Sequence, residues 1–190
     1  MKTLLISLKI FLFFTVLTGI IYPLAVTGIA QALFPSKANG SLIKRGNRTI
    51  GSELIGQQFE AAKYFMSRPS AVAYNPLPSG GSNYGLTNSK LKKLVIKRRD
   101  QFLAMNRLDR GANIPSEILF ASASGIDPHI SPQAALLQVA RISKFRNFNL
   151  EQEQKLRQYL RDLTELPQFL CLGEPRMNVL LLNLKLDEIK

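Results

Sequence analysis

From Ile10 to Ser36 the chain carries no charged residue for 27 consecutive positions, most of them Phe, Leu, Ile, Val or Ala. A helix rises about 1.5 Å per residue, so roughly 20 apolar residues span the hydrocarbon core of a bilayer. The run predicts a single N-terminal transmembrane helix. Two other readings compete with it. Ala30-Gln31-Ala32 fits the small-x-small cleavage pattern of a signal peptide, but the run far exceeds the roughly 7–15 residues of a signal's apolar region. A buried helix of a soluble core shows a polar face, and this run shows none. Pro23 fits a span, because membrane helices accommodate proline. Residues 1–36 are therefore expected to form the anchor, and residues 37–190 one soluble domain of ordinary size.

The orientation of the span is not fixed by its flanks. Lys2 and Lys9 precede it, and Lys37, Lys44, Arg45 and Arg48 follow. A plain count of positive charges would keep the soluble domain in the cytoplasm, but that rule governs short loops and not long domains.

The formal charge is +12, and only two of the positive side chains precede the anchor. The densest patch is Lys90, Lys92, Lys93, Lys97, Arg98 and Arg99, relieved by Asp100. Such a patch attracts nucleic acid, anionic lipid or an acidic partner. It also fits the solvated face of an ordinary helix, since Leu91, Leu94, Val95 and Phe102 recur at helical spacing between the charges. No RNA-recognition signature or zinc-finger spacing supports nucleic acid. With one cysteine, Cys171, and one histidine, His129, neither an internal disulfide nor a metal site built on several thiolates or imidazoles can form.

Beyond the anchor, residues 37–50 read as a linker and an edge strand. Residues 51–88 are rich in Gly, Pro, Ser and Asn, and Asn75–Asn83 reads as a loop. Asn88 or Ser89 caps a helix reaching about Met105. Ile114–Ala123 is expected to be a strand, followed by a turn at residues 124–128. Ser131-Pro132 starts a helix, serine capping and proline in its first position, with an apolar face of Leu136, Val139, Ala140 and Ile142 continuing to Phe145. Asn149 and Gln152 make a capping box ahead of a helix striped by Leu156, Tyr159, Leu160 and Leu163. The run Asn178–Leu186 is expected to be a central strand. Helices and strands without βαβ alternation give an α+β domain.

Three patterns touch on chemistry. Gly51 to Gly56 has P-loop spacing, but Gln57 and Gln58 stand where that loop needs Lys and Ser or Thr. Ser79-Gly80-Gly81-Ser82-Asn83 offers unhindered backbone N–H groups that suit an anion, or simply a surface turn. Ser122, Ser124, Asp127 and His129 supply the residue types of a hydrolytic triad, but neither serine has the flanking glycines of a nucleophile elbow. A turn leading into the capped helix explains them better.

Taken together, GSELIGQQF (51–59), YFMSRPSA (64–71), SGGSN (79–83), ASASGIDPHISPQAALLQVARI (121–142) and NVLLLNL (178–184) resemble the signature blocks of the KdpC family, the C subunit of bacterial Kdp potassium-transporting ATPases. The resemblance runs nearly the whole chain and includes the single N-terminal span. It implies a non-catalytic accessory subunit of an ATP-driven potassium uptake complex in the bacterial plasma membrane. The implied partners are a potassium-translocating subunit, a P-type ATPase subunit and a small peptide subunit, with the bilayer around them and no nucleic acid. The implied topology is single-pass, with the soluble domain extracytoplasmic. The family resemblance also implies a chaperone role that raises the ATP affinity of the ATPase subunit through Ser79, Gly80, Gly81 and Ser82. Ser82 stands where that motif carries glutamine. No metal and no cofactor of its own is implied, ATP entering only with the ATPase subunit. The remaining motif residues are expected to serve structure or partner contact: Gly51, Gly56, Gln57, Arg68, Pro69, Ser70, Asn83, Ser124, Gly125, Asp127, Pro128, His129, Ser131, Pro132, Gln138, Arg141 and Asn183. Readings of another class are an anchored extracytoplasmic hydrolase using Ser124, Asp127 and His129, and a basic domain recognising anionic lipid or nucleic acid.

Overall fold

The computed structural model describes residues 1–189. The chain divides into two compact units, Met1–Ser52 and the chain from Glu53 onward. The architecture is one long apolar N-terminal helix followed by mixed helices and strands, in line with the α+β expectation.

In the first unit, α1 (Lys2–Val16) passes through a π-helical turn (Leu17–Ile21) into α2 (Tyr22–Leu33) without a break. No side chain of this helix is buried within the chain, and it is long and apolar enough to cross a membrane. The π turn has a cause. Pro23 has no N–H to give and its ring crowds the carbonyl four residues back, so the turn before it widens, and Tyr22 N–H reaches Leu17 O instead. The hydroxyls of Thr15, Thr18 and Thr27 donate to carbonyls one turn back, at 2.8, 2.7 and 2.8 Å. In an apolar helix that satisfies them without water. After the short α3 (Pro35–Ala38), β1 (Leu42–Arg45) and β2 (Arg48–Ser52) pair antiparallel, with a bulge between Ile43 and Lys44. The expected edge strand is thus a full hairpin, turning at Gly46, whose φ of 62° suits glycine.

In the second unit, no helix or regular strand forms between Glu53 and Asn88. Then come α4 (Ser89–Asn106), the single turn α5 (Ser116–Leu119), β3 (His129–Ile130), α6 (Pro132–Phe145), α7 (Leu150–Asp162), β4 (Met177–Asn178) and α8 (Val179–Leu186). The caps are those expected. Asn88 accepts from Lys90 N–H, Ser131 accepts from Ala134 N–H, and Asn149 with Gln152 closes a capping box. β3 and β4 pair antiparallel through His129 with Asn178 and Ile130 with Met177. The core gathers Phe65, Phe102, Ile130, Val139, Ile142, Leu156, Met177, Val179, Leu182 and Leu186 around α6.

Three expectations need correction. Ile114–Ala123 is not a strand but one helical turn in irregular chain. Pro115, with no N–H to offer a ladder, starts that turn instead. Asn178–Leu186 is a strand only at its first residue. Asn178 Oδ1 accepts from Leu181 N–H at 3.1 Å and caps α8. Leucine is among the best helix formers, and a short apolar run buried nearly all round shows no period to tell helix from strand. Finally, the buried face of α6 is Ala134, Ala135, Gln138, Val139, Arg141, Ile142 and Ser143, while Leu136 and Ala140 face outward. Of its polar side chains, Gln138 and Arg141 take core positions for a reason found in the loops they hold.

Candidate functional site

A segment of some 36 residues without regular structure leaves many backbone groups that must find partners or water. In the second unit, side chains from α6 and α8 supply them. Asn183 Oδ1 accepts from Phe65 N–H at 2.8 Å, and its Nδ2 donates to Phe65 O at 3.0 Å. Gln138 Oε1 accepts from Met66 N–H at 2.8 Å. Arg141 donates to Ala62 O, to Tyr64 O at 3.0 Å, to Asn106 Oδ1 at 2.9 Å and to Gln138 Oε1 at 2.8 Å. Its hydrogen bonds go to carbonyl oxygens and not to a carboxylate, and burial pulls the guanidinium down to about 10. Gln138, Arg141 and Asn183 thus fix residues 62–66 as a strand neighbour would.

A second set of contacts hangs the next part of the segment on the turn at residues 122–129. Arg68 donates to Asp127 Oδ2 at 2.7 Å, and Asp127 Oδ1 faces both His129 N–H at 3.0 Å and His129 Nδ1 at 3.2 Å. Burial would raise the Asp127 carboxyl, but the His129 hydrogen bonds and the Arg68 guanidinium together hold it below the usual range. Ser70 Oγ donates to Gly125 O at 2.6 Å and accepts from Val72 and Tyr74 N–H, while the Tyr74 hydroxyl donates to Arg68 O. Ser122 N–H reaches Pro69 O, and Gly56 N–H reaches Ile126 O. The glycines are steric necessities. A Cβ on Gly56 would lie 2.7 Å from Asp127 O, and one on Gly125, at φ +72°, would lie 2.5 Å from Val72 and 2.7 Å from Gly80 O.

The remaining motif residues fall as follows. Gly80 N–H donates to Ser124 O at 2.9 Å, while Ser79, Ser82 and Asn83 are exposed. Gly51 lies in β2. Gln57 O accepts from Ser67 Oγ, and Pro128 O accepts from Val179 N–H. Pro132 occupies the first turn of α6 behind the Ser131 cap. Ser124 Oγ accepts from Ile126 N–H, and the His129 ring meets Asp127, so no serine–histidine pair forms among the described residues.

Two hollows border this platform. A groove of about 770 Å³ is lined by Phe59, Met66, Pro69, Phe102, Met105 and Ile118, with Arg68 and Arg98 among its walls. A more polar one of about 510 Å³ is lined by Glu117, Asp127, His129, Glu174 and Arg176, again with Arg68. Sequence reasoning missed Asn106, Tyr74 and Asn178, which complete the backbone holding, the last by donating to Glu53 O at 2.7 Å. It also missed an apolar hairpin tip. The Gln168–Leu172 and Glu165–Arg176 bridges close it, and it exposes Leu166, Phe169, Leu170 and Leu172. The apolar run Phe169-Leu170-Cys171-Leu172 was the available signal.

The family described as KdpC, the c chain of K+-transporting ATPase, matches residues 4–188. Relatives named potassium-transporting ATPase KdpC subunit are similar over nearly their whole length. That of Caldanaerobacter subterraneus subsp. tengcongensis is 47% identical over 97% of this chain and 94% of its own. That of Geobacter metallireducens is 48% identical over 96% of each, and that of Geotalea uraniireducens 46% over 100% of this chain and 99% of its own.

Proposed function

The chain belongs to the KdpC family, and from that membership we propose that it is an accessory subunit of a potassium-transporting ATPase complex, without a catalytic site of its own. The carrying observation is the match over residues 4–188, which takes in nearly all of the apolar helix and of the second unit. The helix Lys2–Leu33 holds the chain in the membrane as a retained single-pass anchor, packing on helices of the partner subunits. Its unburied surface, with Thr18, Gly19, Ala25 and Gly28 available for close approach, supports that reading. The second unit lies outside the cytoplasm. The hairpin tip at Leu166, Phe169, Leu170 and Leu172 is one contact for assembly, since large exposed apolar groups together are what subunit interfaces cover.

An extracytoplasmic second unit and a direct hold on ATP exclude each other, because ATP is cytoplasmic. A rise in nucleotide affinity of the ATPase subunit is therefore transmitted through assembly, and Ser79–Ser82 serves the loop framework. Gly80→Val separates the two mechanisms, since nothing lies within 4 Å of a Cβ there and the fold should tolerate it. The test is purification of the tagged complex with and without this chain, followed by potassium uptake and nucleotide affinity. Loss of uptake on deletion, with unchanged affinity in Gly80→Val, is expected. ATP turnover by the isolated chain, or lost affinity in Gly80→Val, would overturn the reading.

A further inference from the structure

We propose that the N-terminal half of α4, with the loop entering it, docks on an anionic lipid surface. Lys90, Lys93 and Lys97 recur at i, i+3 and i+7 and so form one line along the helix, with Lys92 beside it. All four are exposed, and none takes part in an ion pair among the described residues. Asp100 is the one carboxylate on the helix. The deeply buried side chains of α4, Phe102, Leu103 and Asn106, all lie in its C-terminal half, so the lysine-bearing turns are left to face outward.

A basic helix face alone is an ordinary solvated surface. What lifts it out of that class is the apolar chain running into it. Leu86, two residues ahead of the Asn88 cap, is 92% exposed, and Tyr84 and Leu77 of the same loop are exposed too. Ammonium groups beside aliphatic and aromatic side chains match the two layers of an anionic bilayer surface. The lysines meet lipid phosphates, and leucine and tyrosine enter the boundary between headgroups and acyl chains. Nucleic acid would use the lysines but leave Leu86 in water, and a protein partner, which would cover Leu86 as well, is told apart by adding the other subunits. The same chain carries a helix long enough to cross a bilayer, which keeps lipid at high local concentration. This inference rests on that helix and not on the subunit role.

The chain has no tryptophan, so Leu86→Trp introduces a single reporter at an exposed site. The full-length variant is reconstituted in vesicles of phosphatidylcholine alone and of phosphatidylcholine with phosphatidylglycerol. With phosphatidylglycerol the emission should shift to the blue and brominated lipids should quench it. Without it, or in high salt, the emission should return to that of solvent-exposed indole. Adding Lys90→Gln, Lys92→Gln, Lys93→Gln and Lys97→Gln together should abolish the shift while the circular dichroism stays unchanged. Equal quenching in both vesicle types, or none in either, overturns the proposal. A shift that appears only after the other subunits are added assigns the patch to a protein partner and also overturns it.

Discussion

The Asn183 side chain holds the backbone of Phe65 from both ends, accepting its N–H at 2.8 Å and donating to its carbonyl at 3.0 Å across 118 residues of sequence. Phe65 is fully buried and sits in the core, so neither backbone group has water to fall back on. This is the hydrogen-bond pattern of a strand neighbour, supplied by one amide on a helix.

Asn183→Ala should therefore destabilise the full chain by about 3 kcal/mol, the order expected for two orphaned buried polar groups. That corresponds to a Tm lower by roughly 6–12 °C for a chain of this size. Asn183→Asp should fare no better, since a carboxylate accepts from Phe65 N–H but donates nothing to its carbonyl. Thermal unfolding followed by circular dichroism decides it. A loss under about 0.5 kcal/mol for either variant would mean the loop does not depend on the clamp.

Gly125 and Gly80 touch each other yet should respond oppositely to the same change. Gly125→Ala meets Val72 and Gly80 O at 2.5 and 2.7 Å and must hold φ at +72°, whereas a Cβ on Gly80 meets nothing within 4 Å. The first should cost about 2–3 kcal/mol and release the 79–83 loop, seen as faster amide exchange there. The second should stay within roughly 0.5–1 kcal/mol. Equal losses at both positions would refute the steric argument.

Acid should act through Asp127. Its carboxyl is held below the ordinary range, so as pH falls the unfolded chain takes up the proton first. The stabilisation is complete above the ordinary aspartate value of about 4 and is lost as pH drops below it toward the depressed folded value. Asp127→Asn should be less stable than the parent at neutral pH, and the gap should close in acid. Urea midpoints measured across that window report it, and a gap unchanged down to the most acidic point would be inconsistent with the pairing to Arg68 and His129.

What the sequence disclosed was local. The caps at Asn88, Ser131 and Asn149 with Gln152 each need only residues within one turn, and all three stand as read. The stripe of α7 held at Leu156 and Leu160, which are buried. The core face of α6 was misread because hydrophobicity ranks Leu136 above Gln138 and Arg141, whereas the structure needs amide and guanidinium groups inside to hold the carbonyls and N–H groups of residues 62–66. The structure brings Gly56, Arg68, Ser70, Gly125, Asp127, Gln138, Arg141 and Asn183 into the contacts that hold the loops. Their task depends on partners such as Ala62, Phe65 and Gly125 that lie far away in sequence, and no local pattern encodes such pairings.

Cys171 offers a direct check on which side of the membrane the second unit lies. It is the only cysteine of the chain and is exposed, in the hairpin tip that also carries Phe169 and Leu170. A membrane-impermeant maleimide added to spheroplasts should therefore modify it without permeabilisation, if the second unit is extracytoplasmic. Cys171→Ser gives the background, and a permeant maleimide gives the full signal. In cells that also assemble the partner subunits, labelling should fall several-fold, because the proposed contact at Leu166, Phe169 and Leu170 covers the thiol. Phe169→Asp should restore it by weakening that contact. Modification only after the membrane is opened would place the second unit in the cytoplasm and would remove the objection to direct contact with ATP. Full labelling of Cys171 in the assembled complex would leave the topology intact but rule out the hairpin tip as the covered surface.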